Sequence, residues 1–452
     1  MKRLSLLLLL LCATVARADD DVLLQGFYWN CPQDWWVQLK GEVAELKRAG
    51  FSAVWLPPPQ KGAGGREAMG YDVFDHYDLG EYDQKGTVPT RFGTKAQLKE
   101  LVAAFHAEKI EVYADLVLNH MTGGQLVDNP LKGTQTWSRF SYPHGRFEKS
   151  WRDFHPCPQH PDEDAPYHSN VFGEDLCHAN PRVRDGLIEW GDWLTREVGF
   201  DGYRLDFVNA IEPTFLKAFL NAKSMRGKFA VGELWHGDKR VLAQWVEDTG
   251  ASVFDFNLFY RLQGMCNAQG SFDMRQLASE GYFRVNPFKA VTFVENHDTA
   301  RKEPVIHDKL LAYAFILTME GRPCVYYEDY AVHGLKPQID PLIAVRRELA
   351  GGSSSVLHAD EDLLVIQRNG HEDRPGLILV LNDGQQARSA WVTCKWPDAV
   401  LLDRVGGQPQ QRTHADGRVQ LGAPARGYAV YAPRVAKPQA ASPGGISGAL
   451  GQ

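Results

Sequence analysis

Two short runs of sequence determine the predicted fold class: GYRLDFV at residues 202–208 and FAVGEL at residues 229–234. Each run is mostly apolar, as expected of a buried strand, and each carries an acidic residue near its end, Asp206 or Glu233. Six further runs of this kind recur along the chain, with amphipathic helical segments between them. Strands that alternate with helices predict a parallel sheet wrapped by helices.

The eight predicted strands suit a closed barrel. They are Val22–Trp29, Ala53–Pro57, Glu111–Leu118, Gly202–Val208, Phe229–Leu234, Ser252–Phe256, Val291–Glu295 and Cys324–Tyr327. Between them, a capping box at Thr94–Gln97 and the pair Asn180-Pro181 each predict the start of a helix. Eight such units in about 330 residues predict an α/β fold, a (β/α)8 barrel.

The rest of the chain is predicted to form smaller units around the barrel, which takes residues 19–120 and 175–350. Residues 121–174, after the third strand, are rich in Gly, Pro, His and Asp and show neither period, so they predict a loop-rich inserted domain. Residues 351–434 predict a C-terminal antiparallel β-sandwich. Its predicted strands are Leu363–Arg368, Leu377–Leu381, Ala390–Trp396 and Tyr428–Ala432. Residues 435–452, mostly Ala, Gly, Pro and Ser, predict a disordered tail.

The N-terminus has the pattern of a secretory signal peptide. A basic start, an apolar run over residues 4–15 and the small residues of Ala16-Arg17-Ala18 predict that residues 1–18 are cleaved and that the protein is secreted or periplasmic. The apolar run is too short to span a bilayer of about 30 Å. The formal charge of −7 suggests none of the basic surface that nucleic acid requires. We therefore expect neither nucleic acid nor, after signal cleavage, a membrane as partner. We also predict a monomer.

Six cysteines follow the signal peptide: Cys31, Cys157, Cys177, Cys266, Cys324 and Cys394. Export would permit disulfides. Cys157 and Cys177 flank a loop-rich stretch and are the best candidates for a bridge, whereas Cys324 lies in an apolar run and is expected to be a buried thiol. No pair has zinc-finger spacing.

Four predicted strands end in polar side chains. In a (β/α)8 barrel the C-terminal strand ends meet at one mouth, so these side chains should converge. A single charge at a strand end is usually solvated, but four adjacent ends with carboxylates, an arginine and two histidines indicate a site. The segments are DLVLNH at 115–120, RLD at 204–206, ELW at 233–235 and ENHD at 295–298.

Asp206, Glu233 and Asp298 together suit glycoside cleavage, in which one carboxylate attacks the anomeric carbon and a protonated one donates to the leaving oxygen. Two neighbouring negative charges should raise the pKa of the acid toward neutrality. Arg204, two residues before Asp206 and on the same strand face, is placed to keep that carboxylate ionised.

These segments carry a resemblance. DLVLNH (115–120), GYRLD (202–206), GELW (232–235) and FVENHD (293–298) resemble, in order, four short regions of the α-amylase family, glycoside hydrolase family 13. Gly70-Tyr71-Asp72 and other stretches are also similar to plant and bacterial members, so the resemblance covers nearly the whole mature chain. It implies a secreted enzyme that hydrolyses internal α-1,4 bonds of starch, glycogen or maltodextrins with retention.

The resemblance also implies a role for each site residue. Asp206 would be the nucleophile, Glu233 the general acid/base, and Asp298 the carboxylate that holds sugar hydroxyls. The implied substrate-binding residues are Tyr71, His120, Arg204, Trp235 and His297. Arg204 would orient Asp206, Trp235 would line the leaving-group side, and the others would contact the sugar in the cleavage subsite. For the aromatic residues and histidines, an ordinary core position is the alternative.

The family further implies a structural calcium ion between barrel and insertion. Its ligands here would be Asn119, Asp175 and the backbone carbonyl of Ala210, with Asp162 or Asp164 as a candidate to complete the set. Oxygen atoms from distant segments suit this hard cation, which takes six to eight of them.

One residue departs from the family pattern: Asn209 stands where many members carry a cation near the leaving-group sugars. This departure leaves the chain length of the products open. An exo-acting maltooligosaccharide-forming enzyme or a transglycosylase would keep the same catalytic set and is one alternative. A non-catalytic glucan-binding protein would normally lack one of the three carboxylates. An unrelated metal-dependent barrel hydrolase would need paired histidines, which the first strand lacks.

Overall fold

The computed structural model describes residues 21–161, 172–371 and 373–434. The predicted signal peptide and tail lie outside the described residues, as do Asp162 and Asp164. Eight parallel strands close into a barrel in which each strand pairs with its sequence neighbours and β1 pairs with both β2 and β8. The strands are β1 Leu23–Gln25, β2 Ala53–Leu56, β3 Glu111–Leu116, β4 Gly202–Leu205, β5 Phe229–Gly232, β6 Ser252–Phe254, β7 Ala290–Phe293 and β8 Arg322–Tyr326. The predicted (β/α)8 barrel is confirmed.

Several barrel strands are shorter than predicted at their C-terminal ends. β4 stops at Leu205 rather than Val208, and β5 stops at Gly232 rather than Leu234. The chain leaves the ladder where the polar residues begin: Phe207, directly after Asp206, has a φ of 44°, which is incompatible with a strand. The apolar pattern continues through this turn, so sequence alone overestimated the strand length.

Helices follow the barrel strands, and the longer ones cover the outside of the barrel. They are α1 Trp35–Ala49, α2 Lys95–Ala107, α3 Pro181–Val198, α4 Pro213–Leu220, α5 Lys239–Thr249, α6 Phe256–Asn267, α7 Thr299–Lys302, α8 Lys309–Thr318 and α9 Lys336–Leu349. The predicted capping box at Thr94 and the helix start at Asn180-Pro181 are both present. None of the described helices is long and apolar enough to cross a membrane.

The insertion after β3 contains a β-hairpin that the sequence pattern did not predict. Its strands are Gln125–Asn129 and Thr134–Arg139, paired antiparallel. In the second strand the buried positions include Thr136 and Ser138, which are polar, so the alternation of apolar and polar residues that marks a strand is absent. The Cys157–Cys177 disulfide predicted for this segment is confirmed, and Cys324 is a buried free thiol as expected.

The C-terminal unit is antiparallel, as predicted, with more strands than the pattern indicated. They are β9 Ser354–Ala359, β10 Leu363–Arg368, β11 Leu377–Asn382, β12 Arg388–Thr393, β13 Val400–Asp403, β14 Gln411–Arg412, β15 Arg418–Ala423 and β16 Gly427–Pro433. One sheet has the order β9-β10-β11-β16-β13-β14, and β12 pairs with β15 in a second. β10 and β11 are fully buried, and their apolar runs predict strands. β9 and β13 are mostly half-exposed and lack a continuous apolar run, so the sequence pattern does not predict them.

Candidate active site

A cleft of about 700 Å³ opens at the C-terminal ends of the barrel strands. Its lining includes Asp206, Glu233 and Asp298, which follow β4, β5 and β7 and are far apart in sequence. Tyr71, His120, Trp235 and His297 line the same cleft. The barrel therefore brings together the predicted carboxylates and the predicted aromatic and histidine side chains.

Arg204 connects the carboxylates beneath the cleft. Its Nη1 donates to Asp206 Oδ1 at 2.6 Å and to Asp115 Oδ1 at 2.8 Å, and its Nη2 lies 2.6 Å from Glu233 Oε1. The guanidinium is 1% exposed. One buried positive charge cannot balance three buried negative charges, so at least one of these carboxyl groups must hold a proton.

Glu233 is the group in the cleft with the strongest tendency to hold that proton. Burial, together with the negative charges of Asp206 and Asp298, raises the pKa of Glu233 to about 8, against the opposing effect of Arg204. The backbone N–H of Phe207 donates to its Oε2 at 3.2 Å and fixes the carboxyl group. Glu233 is therefore protonated at neutral pH.

Asp298 behaves in the opposite way. Burial by itself would raise its pKa, but interactions with the neighbouring His297, Lys302 and Arg301 side chains outweigh burial and lower it. Arg301 forms an ion pair with Asp298 Oδ1, and Lys302 Nζ lies 3.6 Å from Oδ2. Two carboxyl groups of one cleft thus have pKa values displaced in opposite directions, the arrangement that separates an acid from an anion.

Asp115 is a functional candidate that sequence reasoning did not single out. It is wholly buried, and its Oδ2 accepts hydrogen bonds from Tyr71 Oη at 2.7 Å and Trp55 Nε1 at 3.0 Å. Burial first and Asp206 next raise the pKa of Asp115 to about 7. Asp115 opens the DLVLNH segment, but only the barrel shows that its side chain holds both Arg204 and Tyr71.

Aromatic rings form one wall of the cleft. Tyr71 stacks on His297 with ring centroids 5.0 Å apart and on Trp29 at 6.2 Å. His297 is neutral, since burial lowers its pKa to about 3, and its Nδ1 lies 3.0 Å from Gln25 Nε2. His120 Nε2 lies 2.9 Å from the carbonyl oxygen of Tyr71 and can donate to it. These residues are hydrogen-bonded as core residues are, yet they also face the cleft.

Trp235 lines the cleft, and Asn209 contacts its backbone. Asn209 Oδ1 accepts from the backbone N–H of Trp235 at 3.0 Å, so Asn209 holds this segment in place. A cation does lie beside Trp235, but it comes from a different strand end: Lys302 Nζ lies 5.0 Å from the centroid of a Trp235 ring. Sequence alone does not indicate this contact between Lys302 and Trp235, because Lys302 follows β7 and Trp235 follows β5.

The three predicted calcium ligands also meet. The strand pair His120–Met121 and Glu174–Asp175 places Asp175 beside Asn119. The side-chain oxygen of Asn119 lies 3.3 Å from Asp175 Oδ1 and 3.1 Å from the carbonyl oxygen of Ala210. Three buried oxygen atoms this close repel one another unless a cation lies among them or the Asn119 amide is turned to donate.

At the mouth of this (β/α)8 barrel, one carboxyl group has a raised pKa and a neighbouring one has a lowered pKa. This combination of fold and site defines the class of barrel glycoside hydrolases. Comparison with known proteins agrees with this class and narrows it. The family model "Alpha amylase, catalytic domain" matches residues 39–334, and "Alpha-amylase C-terminal" matches residues 377–432. The chain belongs to the α-amylase family and is a glycoside hydrolase.

Relatives cover most of the chain. The α-amylase of Geobacillus stearothermophilus is 33% identical over 93% of this chain and 88% of its own length. The glucan 1,4-alpha-maltohexaosidase of Bacillus sp. (strain 707) is 32% identical over 81% of this chain and 83% of its own. The α-amylase from Geobacillus thermoleovorans, solved in complex with acarbose, has the same fold, with a TM-score of 0.69, 21% identity, and coverage of 93% of this chain and 99% of that one.

Proposed function

We propose that the protein is a secreted α-amylase that hydrolyses internal α-1,4-glucosidic bonds of starch-like glucans by a retaining double displacement. The observation that carries the proposal is the contrast within one cleft between Glu233, whose pKa is raised to about 8, and Asp298, whose pKa is lowered. Secretion is supported by the N-terminal sequence pattern alone. We further propose the predicted boundaries: a barrel of residues 19–120 and 175–350, an insertion of 121–174 and a C-terminal domain of 351–434.

The proposed reaction has two steps. Asp206 attacks the anomeric carbon while the glycosidic C–O bond breaks and the Glu233 proton passes to the leaving oxygen. Glu233, now a carboxylate, takes a proton from water, whose oxygen attacks the same carbon and releases Asp206. Since Arg204 binds Asp206 Oδ1, the attack falls to Oδ2.

The other cleft residues would position the sugar. Tyr71 offers an aromatic face, and its hydroxyl is already committed to Asp115. Neutral His297 and His120 would hydrogen-bond sugar hydroxyls, and Asp298 would accept from two of them as positive charge develops on the ring. Trp235, with Lys302 above it, would line the leaving-group side.

We also propose that Asn119, Asp175 and the Ala210 carbonyl oxygen hold a calcium ion, as the oxygen-only donor set and its buried position favour. A cation there would resolve the close approach of the three oxygen atoms. It would tie β3, the insertion and the segment after β4 together and so fix the side of the cleft that carries His120.

The product profile from soluble starch tests the proposed reaction. We expect a rapid fall in polymer length with α-anomeric oligosaccharides, abolished in Glu233→Gln and unchanged in Glu348→Gln, a control at an exposed site near the C-terminal end of α9. β-Anomeric products would contradict the retaining mechanism. A wild-type protein that binds starch without cleaving it would point to a glucan-binding role.

A maltooligosaccharide-forming exo-amylase is the second candidate, because such enzymes are among the relatives: the maltohexaosidase above and the glucan 1,4-alpha-maltotetraohydrolase of Stutzerimonas stutzeri, 27% identical over 91% of this chain and 79% of its own length. A single early product of fixed length, with slow loss of polymer size, would favour it over internal cleavage.

A further inference from the structure

Four side chains that bind soft metal ions meet in the insertion, outside the active-site cleft. One ligand atom from each of His155, His160 and Cys177 lies within 4.8 Å of the others. Cys157 joins this group, since its sulfur is bonded to that of Cys177. The proposed reaction uses none of the four, and the predicted calcium ligands are oxygen atoms at other positions.

Backbone hydrogen bonds hold the four positions together independently of the sulfur–sulfur bond. The His155 N–H donates to the Asp175 carbonyl at 2.8 Å, and the Cys177 N–H donates to the Asp153 carbonyl at 2.9 Å. A tight turn joins the other two: the Cys157 N–H donates to the His160 carbonyl at 2.8 Å, and the His160 N–H approaches Cys157 Sγ at 3.3 Å. The chain would therefore keep these side chains close even with free thiols.

One nitrogen of this cluster is buried without a partner. His160 Nδ1 has no hydrogen-bond partner among the described residues. The His155 and His160 rings lie with centroids 5.5 Å apart. A buried imidazole nitrogen without a partner is costly, and a metal ion bound within this set would satisfy it.

The donor types favour zinc over calcium. Two imidazoles and two thiolates form the tetrahedral set that structural zinc sites use, whereas calcium takes oxygen ligands. In such a site the ligand atoms lie about 3.3–3.8 Å apart, given Zn–N near 2.0 Å and Zn–S near 2.3 Å. The ligand atoms of His155, His160 and Cys177 already lie within 4.8 Å of one another, so they need to approach by only about 1 Å to reach that spacing.

We propose that the protein has a zinc site formed, in its thiol state, by His155, Cys157, His160 and Cys177, and that zinc and the Cys157–Cys177 disulfide exclude each other. A dithiol reductant would convert the disulfide to two thiols, supplying two electrons and two protons and becoming a disulfide itself. Zinc then binds both sulfurs as thiolates, and the two thiol protons pass to solvent. Both the disulfide and the zinc-bound state would link residue 177 covalently or through the metal to the turn at residues 157–160.

The test uses the mature full-length protein reduced with a dithiol and freed of reductant and metal without air. Titration with Zn²⁺ in excess Ca²⁺, against a chromogenic chelator, should give about one equivalent bound. Co²⁺ as probe should give thiolate-to-metal charge-transfer absorption. The oxidised protein should bind neither metal at this site, and added zinc should protect two thiols of the reduced protein from alkylation.

His160→Ala is the matched variant, because it keeps both cysteines and can still form the disulfide. We expect it to weaken zinc binding by about 10-fold or more, by analogy with the loss of metal-site partners, while His414→Ala, exposed in the C-terminal domain, binds as wild type. Circular dichroism confirms that both variants fold. Reduced wild type that binds no zinc, or binds it no better than His160→Ala, would overturn the proposal. No readout depends on hydrolysis, so the proposed function is tested separately.

Discussion

At the scale of single residues, the candidate site works through charge imbalance. Arg204 supplies one positive charge to Asp115, Asp206 and Glu233. Arg301 and Lys302, three and four residues after Asp298, neutralise that carboxylate. The protonated state of Glu233 is thus a property of its neighbours and its burial rather than of glutamate itself.

This imbalance predicts the alkaline side of the pH profile. Glu233 must be protonated to act as acid, and its pKa is raised to about 8, so kcat/KM should fall as pH rises through about 8. Asp298→Asn removes one of the charges that raise this pKa, and its residual activity should decline at lower pH. Measuring kcat/KM against pH on a short maltooligosaccharide checks both expectations. If activity falls at the same alkaline pH in Asp298→Asn as in wild type, the charge of Asp298 does not raise the pKa of Glu233.

Asp115 is predicted to be a positioning residue. Asp115→Asn keeps the shape but removes the charge that holds Arg204 and the acceptor that anchors Tyr71, so kcat should fall by about 10- to 100-fold with a smaller change in KM. Measuring kcat and KM together with the melting temperature separates this loss of positioning from simple destabilisation of the fold. Asp185→Asn, at an exposed site on α3, serves as control, and an equal loss of activity there would remove Asp115 from the mechanism.

At the scale of elements, the strand ends depend on close packing by the helices behind them. Gly232 ends β5 directly before Glu233, and a Cβ at this position would lie 2.2 Å from Trp245 Cη2 on α5. The end of β5 that precedes Glu233 therefore leaves no room for a side chain unless Trp245 moves.

Gly232→Ala is accordingly expected to destabilise the protein by about 1–3 kcal/mol through overpacking. Gly41→Ala, in the exposed middle of α1 where an added Cβ meets nothing within 4 Å, should instead stabilise it by about 0.5–1 kcal/mol. Chemical denaturation of both variants gives the comparison. A neutral Gly232→Ala would mean that α5 can move away from the barrel at little cost.

At the scale of the whole molecule, Asn119 and Asp175 flank the two ends of the insertion, and their cluster with Ala210 holds both ends at the barrel. If calcium lies there, a calcium-selective chelator should lower the melting temperature, and Ca²⁺ should restore it where Mg²⁺ does not, because Mg²⁺ demands a tighter octahedral set. Asp175→Asn should lose most of this response. A melting temperature indifferent to chelator and Ca²⁺ would favour the turned Asn119 amide over the cation.

The sequence by itself determined the eight barrel strands, the antiparallel C-terminal unit, the Cys157–Cys177 pair and the three carboxylates at strand ends. It could do so because apolar runs, turn residues and acidic residues at run ends are local patterns along the chain. The hairpin at residues 125–139 was not predicted, because its buried face is partly polar.

Only the tertiary structure decided which side chains act on one another. Three contacts join segments whose spacing in the sequence does not predict the contact. They are the hydrogen bond from Arg204 to Asp115, the position of Lys302 over Trp235, and the cluster of His155, His160 and Cys177. The same holds for protonation. Glu233 and Asp298 both follow apolar runs in the sequence, but their pKa values are displaced in opposite directions because burial and neighbouring charges exist only once the barrel has closed.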